Sequence, residues 1–230
     1  MLTAFLLLNS CAQQLNVTKK LSQVKKSIFK IEVWVLPPSC NEEKAVCVPG
    51  SGKYELFSTG SAAWVFYKGR KVLLTAAHVC DVGARMELMK RMGGKIKIEA
   101  VDRINRVHST NQIKYDRKLD LCLLEIRDIK FSIPALRLST KKPEYGERVY
   151  NLGAPLGVIN GEMVPVFEGF FMGNDYDHGY YSIPAIGGSS GSPVINAKGE
   201  LIGMIHSVHF RMHHISLSPR YSDLWNFLSN

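Results

Sequence analysis

The sequence of 230 residues contains no internal repeat, no low-complexity tract and no apolar run of the roughly 20 residues that a membrane-spanning helix needs. Its basic residues are scattered and lack interleaved aromatics, although 29 lysines and arginines against 20 acidic residues give a net charge of +9. These absences exclude a repeat architecture and a helical membrane protein, and they give no support to nucleic-acid binding. A globular domain is therefore expected.

Composition favours a chain of many short strands. Apolar residues make up 46% of the sequence, enough to bury a sizeable core, while 19 glycines and 10 prolines suit frequent turns. Apolar and polar residues alternate in part over residues 27–36, and Lys68-Gly69-Arg70 separates two apolar runs as a hairpin turn would. We expect an all-β fold that ends in a short helix after Ser222.

The N-terminal sequence gives information about the cellular location of the protein. Residues 2–8 are mostly apolar and lead into Leu8-Asn9-Ser10-Cys11, which resembles a bacterial lipoprotein signal cleaved before Cys11. No lysine or arginine precedes this run, and the same residues are also consistent with an ordinary N-terminal helix. Lipidation of Cys11 would associate the protein with a membrane and place it in the periplasm or outside the cell. Without that signal, the location is cytoplasmic or viral.

The other four cysteines allow two interpretations. Cys40 and Cys47 flank a short loop and would make a plausible disulfide in an oxidising compartment. Cys80 and Cys122 are expected to be small buried apolar residues. Cysteine usage alone does not decide the compartment.

A glycine-rich turn at residues 187–193, with the sequence GGSSGSP, contains Ser190. Glycines 188 and 191 allow the backbone to bend tightly and to point its amides inward. A serine nucleophile needs a base that accepts its proton and donors for the oxyanion that forms. Alone, such a turn is equally consistent with an ordinary connection between two strands.

Two other segments contain the groups that this serine would need. His78 follows an apolar strand in the sequence LLTAAH, and Asp120 opens another apolar strand. The order histidine, aspartate, serine is one of the known chain orders for a nucleophile with its base and orienting carboxylate. In this hypothesis Ser190 attacks a carbonyl carbon and His78 accepts the serine proton. Asp120 holds the imidazole in the required tautomer.

These segments resemble the trypsin-like (chymotrypsin-fold) serine peptidases over roughly residues 25–230. The matches are GSAAWV at 60–65, TAAH at 75–78, NLGAPLG at 151–157, GSSGSP at 188–193 and NAKGELIG at 196–203. The resemblance implies two antiparallel six-stranded β-barrels, at about residues 25–130 and 140–220, with a short C-terminal helix. Residues 1–24 would be a signal or lipoprotein segment with a basic linker.

The chain departs from digestive members of that family at three positions. Ser189 replaces the aspartate that pairs with a freed N-terminus, so activation by cleavage is not expected. Ser192 replaces a glycine, which resembles bacterial glutamyl-endopeptidase-like, Deg-like and viral members. Pro184 replaces the aspartate that selects arginine or lysine, so a preference for basic side chains is not expected.

The resemblance also implies the finer parts of a site. The oxyanion donors would be the backbone amides of Gly188 and Ser190. The substrate pocket would be formed by mostly small or apolar residues, namely Ile183, Pro184, Ala185, Ile205, His206, Ser207 and Val208. No cofactor and no metal are expected.

Four histidines lie close together in the sequence, at His206, His209, His213 and His214. One interpretation is a zinc site, although no cysteine or carboxylate lies nearby in the sequence to complete it. A second places His206 or His209 in the pocket, where it would bind an acidic substrate side chain, although the spacing is one residue off the pattern of glutamyl-specific relatives. Ordinary surface or partly buried histidines are the third.

Two functions from different classes follow. The first is a serine endopeptidase that hydrolyses protein or peptide substrates through an acyl-enzyme intermediate. The alternative is a catalytically silent binding or scaffold module of the same fold, but such modules usually lack a member of the triad, and all three are present here. The sequence indicates neither the substrate protein nor the oligomeric state.

Overall fold

A computed structural model describes residues 16–41, 46–48, 50, 52–81, 83–126 and 133–230 of the chain. Antiparallel strands are the main secondary structure among these residues, as the composition predicted. Cys11 falls outside the described residues, so its lipidation stays a prediction. The side chains of Cys40 and Cys47 fall outside them too, although their backbones pair in a small sheet formed by β2 (Ser39–Asn41) and β3 (Val46–Val48).

The first half of the chain forms a closed barrel with the strand order β1-β4-β5-β8-β7-β6. Its strands are β1 (Ile28–Leu36), β4 (Glu55–Tyr67), β5 (Arg70–Thr75), β6 (Lys95–Asp102), β7 (Val107–Asp116) and β8 (Leu121–Ile126). The expected hairpin joins β4 to β5, and both Lys68 and Gly69 adopt positive φ there. Fully buried side chains such as Phe29, Leu73 and Leu123 fill the barrel.

The barrel topology brings two of the candidate catalytic residues to one end of neighbouring strands. β5 leads into the short helix α1 (Ala77–Cys80), and β8 begins directly after Asp120. β5 and β8 are paired, with Thr75 opposite Cys122. His78 and Asp120 therefore lie side by side although 42 residues separate them in the chain. A second helix, α2 (Gly83–Arg91), connects α1 to β6.

The second half of the chain forms a sheet of seven strands in the order β13-β12-β9-β10-β11-β15-β14. The strands are β9 (Arg148–Leu152), β10 (Val166–Asn174), β11 (His178–Tyr181), β12 (Pro193–Asn196), β13 (Leu201–Met204), β14 (Ser207–His209) and β15 (Met212–Pro219). A closed six-stranded barrel was expected here, whereas the edge strands β13 and β14 are not paired with each other. The turn that contains Ser190 precedes β12.

Helical segments at both ends pack on the first barrel. The C-terminal helix α3 (Tyr221–Ser229) buries Leu224, Phe227 and Leu228, so the expected final helix is confirmed. Residues 16–24, which the sequence suggested as a basic linker, are helical and bury Val17 and Val24 in the same core. In the part of the chain that the structure describes, no helix is both long and apolar enough to cross a membrane.

Candidate active site

His78 and Asp120 form a tightly coupled pair. His78 Nδ1 lies 2.7 Å from Asp120 Oδ2, and the His78 backbone N–H donates to Asp120 Oδ1 at 2.8 Å. The Ala77 N–H donates to the Asp120 carbonyl at 3.1 Å. Asp120 adopts a left-handed φ of 54°, which aspartate tolerates better than most residues, at the end of a turn closed by the Asp116 carboxylate. The start of α1 and the start of β8 are therefore fixed to each other by three contacts.

The charge of Asp120 is fixed by its partners. Burial would raise the pKa of Asp120, but the interactions with His206 and His78 outweigh burial and hold that pKa well below its ordinary range. The group is thus a carboxylate at neutral pH and can only accept hydrogen bonds. Neutral His78 must then carry its proton on Nδ1, which leaves the lone pair on Nε2 free to accept a proton.

A second imidazole also reaches this carboxylate. His206 Nδ1 lies 3.3 Å from Asp120 Oδ2, and only 12% of the His206 side chain is exposed. Its other face stacks on His178, with ring centroids 5.3 Å apart. The sequence suggested His206 as a pocket residue, a zinc ligand or a surface residue, and contact with Asp120 was not anticipated.

The other histidines of the C-terminal cluster do not join His206. His213 and His214 are exposed, and His209 stacks on Phe210 instead. Within the described ranges, no three histidine, cysteine or carboxylate side chains converge closely enough to hold a metal ion. The cluster in the sequence is therefore not a cluster in space.

The turn that contains Ser190 lies against the end of β5. The Ser190 carbonyl accepts a hydrogen bond from the Ser61 N–H at 2.7 Å, and a Cβ added to Gly191 would lie 2.3 Å from Thr75 Oγ1. The Ser190 hydroxyl donates to the His206 carbonyl at 3.4 Å. Ser190 thus reaches the His78–Asp120 pair through His206, whose carbonyl accepts from the Ser190 hydroxyl and whose ring contacts Asp120. Among the described residues, no hydrogen bond joins Ser190 Oγ directly to His78.

Hydrogen bonds to four consecutive carbonyls fix this turn. The carbonyls of residues 187–190 each accept one bond. The donors are, in order, Leu156 N, Ser61 Oγ, Ser192 N and Ser61 N, at 2.7, 2.7, 3.0 and 2.7 Å. With every carbonyl directed toward a donor, the orientation of each peptide unit in the turn is set.

The same bonds leave two amides available. The C=O and N–H of a trans peptide unit point in opposite directions, so the Gly187 carbonyl that faces Leu156 aims the Gly188 N–H the other way. The Ser189 carbonyl orients the Ser190 N–H in the same manner. Neither the Gly188 N–H nor the Ser190 N–H has an acceptor among the described residues. Two such donors beside a serine can bind an oxyanion.

Only glycine fits at position 188. Its φ is +88°, and an added Cβ would lie 2.7 Å from the Leu156 nitrogen and 2.8 Å from the Ala154 oxygen. The loop at residues 154–157 therefore packs directly behind the turn. The NLGAPLG segment thus packs against Gly188 and supports its amide, a role that the sequence did not predict.

The two predicted pocket walls are joined through β15. The Ala185 N–H donates to the His213 carbonyl at 3.4 Å, and the Ser216 hydroxyl donates to the Ile183 carbonyl at 2.6 Å. On the other side, the His206 N–H donates to the Leu217 carbonyl at 3.0 Å. β15 therefore lies between the predicted walls, although the sequence did not include it. Two of the predicted lining residues, Ile183 and Ile205, are buried in the core of the second sheet.

A disulfide joins the two elements that position His78 and Asp120. Cys80 on α1 is bonded to Cys122 on β8, with 6.6 Å between their Cα atoms. Each cysteine lies two residues beyond its catalytic candidate, and both are buried. The predicted burial is confirmed, and the structure adds a disulfide that the sequence did not indicate.

Comparison with known proteins agrees with this geometry. A family model described as a trypsin-like peptidase domain matches residues 60–204, which include His78, Asp120 and Ser190. No curated protein matches the sequence significantly. The crystal structure of the serine endoprotease from Yersinia pestis is similar, with a TM-score of 0.65 and 16% identity, over 91% of this chain and 64% of that chain. This likeness confirms the predicted chymotrypsin-like fold.

Proposed function

Because the chain belongs to the trypsin-like peptidase family, we propose that it is a serine endopeptidase with Ser190 as nucleophile, His78 as base and Asp120 as orienting carboxylate. The observation that carries this proposal is a pair of amides, Gly188 N–H and Ser190 N–H, that have no acceptor among the described residues and lie beside a serine connected to the His78–Asp120 pair through His206. A binding module has no need of this combination. The catalytically silent alternative is correspondingly less favoured.

The proposed reaction follows from these positions. Ser190 Oγ attacks the substrate carbonyl carbon as its proton passes to His78 Nε2, and the resulting oxyanion accepts hydrogen bonds from the Gly188 and Ser190 amides. Each donor in such a site is worth roughly 2.7–4 kcal/mol of transition-state stabilisation. The C–N bond then breaks as His78 protonates the leaving amine, which leaves an acyl-enzyme. Water, deprotonated by His78, releases the acid and regenerates Ser190.

Covalent labelling tests this assignment. A fluorophosphonate probe is expected to label the wild type because an activated serine attacks the phosphorus and displaces fluoride, and the phosphonyl oxygen occupies the oxyanion site. Ser190→Ala should abolish labelling, whereas Ser109→Ala, which removes an exposed serine from β7, should leave it intact. A wild type that resists the probe, or labelling that survives Ser190→Ala, would favour the silent module.

The pocket is proposed to accept small or apolar side chains. None of the seven predicted lining residues is acidic, so a substrate lysine or arginine would be desolvated without a partner. Peptide-library cleavage analysed by mass spectrometry should show at least a roughly 10-fold preference for alanine or valine over arginine before the cleaved bond. Preferred cleavage after arginine would contradict the proposed preference for small or apolar side chains. Preferred cleavage after glutamate would also contradict it, and would indicate that the nearby histidines bind an acidic side chain.

An oxidising location is proposed on the strength of the disulfide. Bonds such as Cys80–Cys122 persist in the periplasm or outside the cell and are rare in a reducing cytosol. This supports the secreted or periplasmic location suggested by the N-terminal sequence. Lipid anchoring through Cys11 remains a separate prediction.

A further inference from the structure

Ser61 on β4 makes an unusual number of contacts with the turn at residues 187–191. It is fully buried, and its N–H and hydroxyl donate to two carbonyls of that turn, Ser190 O and Gly188 O, each at 2.7 Å. The same hydroxyl accepts from the Ala154 N–H at 2.8 Å, and the Ser61 carbonyl accepts from Thr75 Oγ1 at 2.8 Å. All its polar groups are therefore used, and two of the four hydrogen bonds reach the turn that contains Ser190.

The hydroxyl of Ser61 connects the turn with the loop behind it. Through Gly188 O it fixes the peptide unit that follows the first proposed oxyanion donor. Through the Ala154 N–H it fixes the loop at residues 154–157, and the Leu156 N–H of that loop orients the Gly187 carbonyl. The peptide units on both sides of the Gly188 α-carbon thus depend on one side chain, directly or through that loop.

Such fixation is needed because the turn is intrinsically free to change conformation. Gly188 lacks a Cβ, so its flanking peptide units can rotate at little steric cost. Rotation of the unit between residues 187 and 188 would direct the Gly187 carbonyl toward the site and withdraw the Gly188 N–H. A carbonyl in that position would repel an oxyanion instead of stabilising it.

We propose that Ser61 is a positioning residue that holds the Gly188 amide in the orientation that binds the oxyanion. The inference rests on the proposed peptidase function and goes beyond it, because Ser61 touches neither the substrate nor the reacting atoms. Alanine at this position keeps the backbone bond to Ser190. It leaves the Gly188 carbonyl and the Ala154 N–H without their partner, and both residues are buried.

Kinetics of Ser61→Ala test the proposal in the full-length protein. We expect kcat to fall about 10- to 100-fold with KM changed by less than about threefold, since the oxyanion forms only in the transition state. Affinity for a peptide trifluoromethyl ketone, which forms an oxyanion on Ser190, should weaken by a similar factor. Affinity for a non-covalent product peptide should not change. Ser61→Thr, which keeps the hydroxyl, should restore most of kcat.

Ser27→Ala provides the matched control. Ser27 is also fully buried, and its hydroxyl donates to the Pro134 carbonyl at 2.7 Å, outside the proposed site. The control should lose comparable stability and retain kcat. If Ser61→Ala does not fold, Ser61→Cys takes its place, because a thiol is a weaker donor and should lower kcat in the same way.

Two results would overturn the inference while leaving the peptidase assignment intact. One is a Ser61→Ala or Ser61→Cys enzyme that keeps kcat within twofold of the wild type. The other is a fall in kcat that Ser27→Ala reproduces. A wild type that neither cleaves peptides nor reacts with fluorophosphonate would overturn the proposed function and this inference together.

Discussion

Replacement of Asp120 by asparagine is expected to lower kcat about 10⁴-fold while the protein stays folded. The reason lies in the donors around the carboxylate. The His78 backbone N–H donates to Oδ1 and cannot reverse its role, so the amide oxygen of asparagine must take that place. The amide NH₂ then faces the two imidazole nitrogens that approach Oδ2, those of His78 and His206.

This orientation would give His78 the wrong tautomer. An NH₂ group opposite Nδ1 requires Nδ1 to accept, so the ring proton moves to Nε2, and Nε2 can no longer take the proton of Ser190. His206 would likewise lose its acceptor at Oδ2. The variant should therefore bind substrates normally and fail in the chemical step.

The measurement is kcat with a peptide substrate, alongside thermal unfolding. Asp116→Asn is a suitable control because Asp116 accepts hydrogen bonds from the Lys118 and Leu119 amides in the turn before Asp120, and asparagine can accept the same bonds. It removes an equal charge nearby and should change kcat by less than about threefold. If Asp120→Asn lowers kcat by less than 10-fold, the assigned role of Asp120 is contradicted.

The pH dependence of the wild type should be consistent with this role. Since the interactions with His206 and His78 hold the pKa of Asp120 below its ordinary range against the effect of burial, this carboxyl stays ionised above about pH 4. The folded-state pKa is depressed, so its contribution to stability is present above the unfolded value near 4 and is lost as the pH falls through the lower folded value. No change in rate between pH 5 and 9 should arise from Asp120.

The three catalytic candidates could be predicted from sequence because each stands in a short local motif. His78 follows a strand, Asp120 opens one, and Ser190 lies between glycines that a tight turn requires. The proximity of His78 and Asp120 follows from the barrel topology, in which β5 pairs with β8. The contacts that support them are of another kind, since Ser61 bonds to Gly188 across 127 residues of sequence. No local pattern encodes such a partner.

Two of the longer strands, β7 and β15, are difficult to recognise in the sequence for physical reasons. β7 is exposed or half-buried along its whole length, so it lacks the alternation that identifies a strand. β15 begins with three exposed residues at Met212–His214, and its buried serines, Ser216 and Ser218, are residues that are typical of loops. A break separates β13 from β14, and His206 reaches Asp120 from that break.

Reduction of the Cys80–Cys122 disulfide is expected to lower the free energy of unfolding by roughly 3–4 kcal/mol, because the bond closes a loop across 42 residues of sequence. For a chain of this size that corresponds to a fall in Tm of roughly 10 °C. Activity at low temperature should change much less. The Ala77 N–H and the His78 N–H still bond to Asp120 and hold the pair together without the disulfide.

Unfolding with and without reductant measures this effect, but reductant also reaches any other disulfide in the chain. The double variant Cys80→Ser/Cys122→Ser separates the two contributions, since it should resemble the reduced wild type. A residual response of that variant to reductant would report on Cys40 and Cys47. Two results would contradict a structural role for the bond between α1 and β8. One is a wild type whose free energy of unfolding does not change with reductant, and the other is a double variant as stable as the oxidised wild type.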